Sequence, residues 1–217
     1  MANAGYTIEQ LAKRRRKQSI KKGFFAAILL IAPSLSYLVL DITKISLLIH
    51  VCCWVSAAGY VQKSRKLLRQ ARNANIGAKA EKSVALILSE LETQGWKIEY
   101  NIPLRYWGDA DAFLRSPKGN CFVVDTKANG GTVFFNGTKL MLRYGQNVRP
   151  FSNNKDILKA VRGQAAALTK IYRVRFVTPI LCFTKAELKI ASTNNKIENV
   201  YVSTHNSLVS ILRKLDY

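Results

Sequence analysis

Two long uncharged stretches near the N-terminus most constrain what this chain can fold into. They run over residues 23–40 and 45–61 and are separated only by the sequence DITK. Each stretch is about 17 or 18 residues long, near the lower limit for a helix that crosses a bilayer core. Basic segments, residues 1–22 and 62–76, lie on either side of the pair. This pattern predicts a transmembrane hairpin of two helices over residues 23–61.

The distribution of basic residues predicts the orientation of this hairpin. Seven basic side chains precede the first stretch and five follow the second, whereas the connection offers only Asp41 and Lys44. Because basic flanks stay in the cytoplasm, both termini and the rest of the chain are expected there, at a bacterial inner membrane. The alternatives are a cleaved signal peptide, which has one shorter apolar region, and a hairpin buried in a soluble core, which needs no basic flanks.

The remaining residues, 77–217, have the composition of a basic globular domain. Of the formal net charge of +21, this part retains 21 basic against 11 acidic side chains, which favours a polyanionic partner over a merely solvated surface. The four cysteines show no zinc-binding spacing. With only two histidines in the chain, mechanisms that require a histidine base or a histidine metal cluster have almost no side chains to draw on.

Helical and strand patterns alternate along this domain. Apolar residues at helical spacing predict helices, alternation and turn residues predict strands and hairpins, and the mixture predicts an α/β fold. The predicted order is a helix (81–94), a strand (96–104), a hairpin of GDADAFLR and CFVVDTK, a second hairpin around Asn136-Gly137, a helix (156–173), two strands (175–183 and 198–203) and a closing helix from Thr204.

One hairpin places acidic and basic side chains where they can meet. Side chains alternate along a strand, so Asp125 and Lys127 project to one face, and pairing through the SPKGN loop brings Asp111 of the preceding strand beside Asp125. Two adjacent carboxylates repel each other unless a cation lies between them, and Mg²⁺ prefers such oxygen ligands. A nearby lysine can orient water and stabilise negative charge on phosphorus. The alternative is a surface ion pair of little energetic value.

Four segments together resemble the nuclease-related domain family, within the PD-(D/E)xK restriction-endonuclease-like superfamily. They are GAKAE (residues 77–81), GDADAFL, VVDTK and RGQAAALTK, and the resemblance covers roughly residues 77–175. It implies a mixed sheet flanked by helices. The sequence departs from the family pattern at Asp125, where glutamate is common, and at Ala80, where glycine is often seen.

The resemblance also implies roles for individual side chains. Asp111 and Asp125 would be ligands of Mg²⁺ or Mn²⁺, and Lys127 the catalytic lysine. Glu81 would be an auxiliary acid that reaches the metal, and Gln164 a supporting polar residue of the catalytic site. For Glu81 the alternative is a glutamate that merely stabilises the first turn of a helix.

Basic residues interleaved with aromatic ones follow this constellation. Such a stretch can track the phosphates of DNA and stack its bases, although a solvated helix face explains any single member equally well. The predicted DNA-binding residues are Arg143, Arg149, Lys155, Arg162 and Lys170.

The sequence as a whole predicts a membrane-anchored, metal-dependent nuclease that hydrolyses DNA phosphodiester bonds. The bilayer, contacted through residues 23–61, and DNA are its expected partners. The alternative is a catalytically weak, membrane-tethered nucleic-acid-binding or scaffold protein of a DNA-transfer, repair or defence system.

Overall fold

A computed structural model describes residues 6–39, 45–151, 156–191 and 195–216. The chain divides into two compact units, one formed by Thr7–Ile76 and the other containing Gly77–Tyr217.

The first unit consists of two antiparallel helices. Helix α1 spans Tyr6–Val39, and helix α2 begins at Ile45 and continues to Glu92. Small buried side chains recur every seven residues, which is close to two helical turns, so they lie on one side of each helix and let the backbones approach closely. On α1 these are Ala12, Ser19 and Ala26, and on α2 they are Ala57 and Ala71, with the half-buried Ser64 midway between them.

Two contacts fix the pairing of these helices. Ser19 Oγ donates to the Ser64 carbonyl at 2.9 Å, and Ser64 Oγ donates to the Ser19 carbonyl at 3.0 Å. Between one and two turns away, the rings of Phe25 and Tyr60 stack with centroids 6.3 Å apart. The residue number rises along one helix as it falls along the other, so the helices run in opposite directions.

The predicted transmembrane hairpin lies only partly within the described residues. Residues 40–44, including the end of the first stretch and the connection, and the side chains of residues 32–48 fall outside them. Within the described part of the chain, no helix offers a segment long and apolar enough to cross a membrane. The hairpin of membrane-spanning helices is therefore not supported by the structure.

Helix α2 corrects one expectation from the sequence. The basic segment 62–76, interpreted as a linker between the domains, is part of this helix, and Glu81 does not open a helix but lies well inside α2. Alanine, leucine, lysine, arginine and glutamine, all strong helix formers, dominate this stretch and no proline interrupts it, so the helix continues without a break. A role for Glu81 in stabilising a first helical turn is thereby removed.

A six-stranded mixed sheet forms the centre of the second unit, in the order β1-β2-β3-β7-β10-β9. Strands β1, β2 and β3 are antiparallel neighbours, whereas β3, β7 and β10 run parallel. The strands are β1 (Lys97–Leu104), β2 (Gly108–Arg115), β3 (Cys121–Lys127), β7 (Val177–Phe183), β9 (Lys196–Ile197) and β10 (Val200–Thr204).

A second, four-stranded sheet has the order β6-β5-β4-β8. The hairpin predicted around Asn136-Gly137 is confirmed as β4 (Thr132–Phe135) and β5 (Leu140–Tyr144), with Gly137 at a φ of 92°. The other two strands were not predicted. They are β6 (Asn147–Pro150) and β8 (Glu187–Lys189).

Helices cover both faces of the central sheet, which confirms the predicted mixed α/β architecture. The C-terminal part of α2 packs on one face with helix α4 (Leu208–Leu215), through a buried cluster that includes Leu88, Phe122 and Leu212. Helix α3 (Ile157–Ile171) and the four-stranded sheet cover the other face. Strand β3 thus lies inside the central sheet and is covered on both faces.

Candidate active site

The end of β3 and the beginning of β2 hold two aspartates in one place. The β2–β3 ladder runs from Arg115↔Cys121 to Ala112↔Val124 and stops one pair before Asp111 and Asp125 would face each other. There Asp111 Oδ2 accepts the Thr126 N–H at 2.6 Å, replacing the next backbone acceptor of the ladder. The carboxylate of Asp111 is therefore fixed against the last residues of β3.

Lys127 completes a charged group with these carboxylates. Its Nζ lies 2.5 Å from Asp125 Oδ2, and the two side chains are 27% and 8% exposed. Alternation along β3 places them on one face, as the sequence predicted. Glu81, buried on α2, is close enough to influence both Asp111 and Lys127 electrostatically. The structure thus brings together four of the predicted site residues.

The electrostatics of this group indicate an excess of negative charge. Burial raises the pKa of Asp111 well above its usual range, and Asp125 and Glu81 raise it further, against the opposing effects of Lys127 and the Thr126 N–H. Burial lowers the pKa of Lys127, but the three carboxylates, Asp125 foremost, outweigh it and leave that pKa above its ordinary value. Lys127 is therefore an ammonium, suited to stabilising negative charge rather than to accepting a proton.

The donor set fits a hard divalent cation bound by few protein ligands. Buried carboxylates that raise one another's proton affinity indicate a deficit of positive charge, which a cation would supply. Among the described residues, no group of three carboxylate, thiol or imidazole side chains is arranged to hold a metal ion. Mg²⁺ typically uses one or two carboxylates and keeps water and substrate oxygens as its other ligands. Asp111 and Asp125 suit that arrangement, and direct ligation by Glu81 stays a prediction.

Replacing Asp111 by asparagine is expected to stabilise the metal-free protein. The raised pKa means that the folded state holds a proton that the unfolded state releases, so stability falls as pH rises above the ordinary aspartate value. The asparagine amide would keep an oxygen for the Thr126 N–H while removing the charge. In EDTA at pH 8, Asp111→Asn should melt higher than the parent, by about 2–4 °C per kcal/mol gained, and the difference should shrink at pH 5.

The control for this measurement is Asp216→Asn. Asp216 accepts a hydrogen bond from the Asn120 amide outside the charged group, so its replacement should leave the pH dependence of the melting temperature unchanged. An unchanged or lower melting temperature for Asp111→Asn at pH 8 would contradict the inferred repulsion.

Gln164 on α3 reaches the same region but contacts backbone rather than the carboxylates. Its Nε2 donates to the Asp109 carbonyl at 3.1 Å and, more weakly, to the Trp107 carbonyl at 3.5 Å, while its Oε1 has no hydrogen-bond partner among the described residues. Beside it, the indole of Trp107 covers the backbone of Gly163 so closely that a Cβ there would lie 2.3 Å from the ring. Gln164 therefore joins α3 to the β1–β2 turn.

The predicted DNA-binding residues lie in two separate places. Arg143 and Arg149, on the four-stranded sheet, rest over the rings of Phe134 and Tyr144 at 4.8 and 4.5 Å. Arg162 and Lys170 are on α3, and Arg162 is paired with Glu198 at 2.9 Å. Arg162 and Lys170 both border an apolar cavity of about 460 Å³. Lys155 lies outside the described residues.

Sequence reasoning missed the β1–β2 turn as part of this region. Trp107 and Gly163 are far apart in the sequence, and neither carries a charge that marks a site. The available signal was the run of Arg105, Tyr106 and Trp107 immediately before GDADAFL, which is unusual in a turn of this length.

Comparison with known proteins adds one finding. The nuclease-related domain family model matches residues 76–184, half of the chain, and includes α3, β2 and β3 with Glu81, Asp111 and Asp125. That family has the restriction-endonuclease-like fold. Neither the curated proteins nor the solved structures include a match.

Proposed function

The chain belongs to the nuclease-related domain family, and from this premise we propose that it is a metal-dependent nuclease that hydrolyses phosphodiester bonds of DNA. The observation that carries the proposal is the meeting of Asp111, Asp125 and Glu81 with the Lys127 ammonium at the end of the central strand. Three acidic groups beside a single fixed cation suit a metal ion and a phosphate.

Each side chain has a distinct part in this proposal. Asp111 and Asp125 hold Mg²⁺ or Mn²⁺, with Glu81 as an additional acid beside them. The bound ion would supply a Lewis acid and lower the pKa of a water molecule. Lys127 orients the attacking water and stabilises the negative charge that develops on phosphorus, since its pKa keeps it protonated. Gln164 supports the site through the backbone that precedes Asp111.

DNA is the proposed substrate because a polyanion complements the domain's charge. Arg143 and Arg149 lie on the four-stranded sheet, whose first strand follows β3 in the chain. Arg162 and Lys170 add positive charge on α3. Binding of this kind weakens steeply with added salt as counterions are released.

Attachment to a lipid bilayer through residues 23–61 is the second part of the proposal. Large apolar side chains on the described parts of α1 and α2 are exposed, with Phe24 67%, Ile31 57%, Trp54 59% and Val55 69% accessible. Basic residues flank this apolar region on both helices, where they would meet acidic lipid headgroups. Washing cell membranes with alkaline carbonate should leave the protein in the membrane pellet; release into the supernatant would reject the attachment.

The nuclease activity is tested with the full-length protein in detergent. We expect Mg²⁺ or Mn²⁺ to support cleavage of plasmid and single-stranded DNA, and EDTA to abolish it. Labelled RNA, tested in parallel, shows whether the protein cleaves DNA in preference to RNA. Salt-sensitive DNA binding that EDTA leaves intact, without cleavage under any of these conditions, would favour a catalytically weak nucleic-acid-binding or scaffold protein instead.

A further inference from the structure

The turn between β1 and β2 exposes aromatic rings at the end of the sheet where β2 begins and β3 ends. It consists of residues 105–107, here called the aromatic turn. Tyr106 is 77% exposed and Trp107 39%, and the guanidinium of Arg105 lies 5.1 Å from the centre of the Tyr106 ring. The turn therefore presents two rings and a guanidinium from three consecutive residues, a combination suited to stacking a base and meeting its phosphate.

Helix α3 holds this turn in place. The Trp107 indole lies against the bare backbone of Gly163, where any side chain would displace it, and Gln164 donates to the Trp107 and Asp109 carbonyls. The two contacts come from consecutive residues of one helix. The aromatic turn is therefore a fixed surface, and Trp107 is its anchor while Tyr106 is its exposed face.

The aromatic turn also lies close to the proposed catalytic group. Strand β2 begins at Gly108, directly after Trp107, and Asp111 follows three residues later, about 10 Å along an extended strand. A nucleic acid whose phosphate reaches the carboxylates would thus bring neighbouring nucleotides within reach of Tyr106.

We propose that the aromatic turn stacks an unpaired base, so that the substrate of this site is single-stranded DNA or the unpaired end of a duplex. Aromatic rings stack with bases of any sequence, but only when those bases have left the duplex stack. Arg105 adds a cation at the ring, where it can meet the phosphate of the stacked nucleotide. The inference rests on the proposed nuclease function and specifies its substrate.

The test compares binding of a dye-labelled single-stranded oligonucleotide and of a blunt duplex by fluorescence anisotropy in EDTA. Tyr106→Ala is expected to weaken single-strand binding by about 5-fold to 150-fold, since stacking is worth about 1–3 kcal/mol per base. Tyr106→Phe keeps the ring and should bind like the parent. Because Tyr106 is mostly exposed, its loss should not affect folding.

Leu86→Ala is the matched control. Leu86 is 66% exposed on α2, a helix that packs on the sheet through Val84 and Leu88, and its loss should leave single-strand binding unchanged. An unchanged single-strand affinity in Tyr106→Ala, or an equal loss for the blunt duplex, overturns the stacking proposal. If no variant cleaves DNA but Tyr106→Ala alone loses single-strand affinity, the hydrolytic function fails while the stacking surface stands.

Discussion

Full-length protein carrying Asp125→Asn is expected to cleave DNA about 1,000-fold more slowly than the parent, as enzymes do when a charge that stabilises the transition state is removed. Asp125 is only 6% exposed and lies at the end of the central strand, so asparagine keeps its shape and removes its charge. The change should also abolish the rise in melting temperature that Mg²⁺ gives the parent, because a ligand that binds only the folded state stabilises it. Single-turnover cleavage and thermal melting with and without Mg²⁺ measure both effects.

Asp216→Asn serves again as the control for this experiment. It makes the same chemical change near the C-terminus, at a carboxylate that accepts a hydrogen bond from the Asn120 amide. We expect it to cleave DNA and to gain thermal stability from Mg²⁺ as the parent does. If Asp125→Asn cleaves within a few-fold of this control, the assignment of the catalytic group is wrong.

Local sequence rules were enough to predict the meeting of Asp111, Asp125 and Lys127. Alternation along β3 decided that Asp125 and Lys127 share a face, and the SPKGN loop fixed the register that brings β2 alongside. Strand β3 is apolar and buried on both faces, so the SPKGN loop rather than the apolar pattern decides this register. The ion pair at 2.5 Å follows from the alternation of side chains along β3.

The position of Glu81 could not be predicted in the same way. The sequence favoured a helix over residues 81–94, whereas α2 runs uninterrupted from Ile45, and glycine at position 77 costs too little to end it. What brings Glu81 to the site is the packing of α2 on the sheet through residues such as Val84 and Leu88, which is a long-range contact. Helical periodicity indicates which face is buried but not what covers it.

The four-stranded sheet and the aromatic turn show a similar limit. The Asn136-Gly137 turn could be predicted because its backbone requires glycine. The pairing of β8 with β4 could not, because β8 comes from a segment some fifty residues away. Likewise Gly163 fits inside an ordinary helix, and only the indole of Trp107 lying on it explains why a side chain is missing there. Pairings between distant segments leave no periodic signal in the sequence.

Lys127→Met should slow DNA cleavage without preventing the site from binding Mg²⁺. Removing the ammonium takes away the charge that stabilises the reacting phosphate, so cleavage should fall about 100-fold to 1,000-fold. The carboxylates remain, and they would have lost their nearest cation, so the metal-free variant should melt lower than the parent and gain more from Mg²⁺. Asp125→Asn and Lys127→Met would then be alike in cleavage and opposite in their response to Mg²⁺.

Lys189→Met gives the comparison for a lysine outside the site. Lys189 pairs with Glu187 at 3.9 Å on β8, with both side chains about two-thirds exposed, and such surface pairs contribute little to stability. Its replacement should alter neither cleavage nor the response to Mg²⁺. If Lys127→Met loses the Mg²⁺-dependent rise in melting temperature as Asp125→Asn does, the lysine helps to form the metal site itself. If Lys127→Met cleaves DNA like the Lys189 control, the ammonium has no part in the reaction, and the carboxylates alone must account for it.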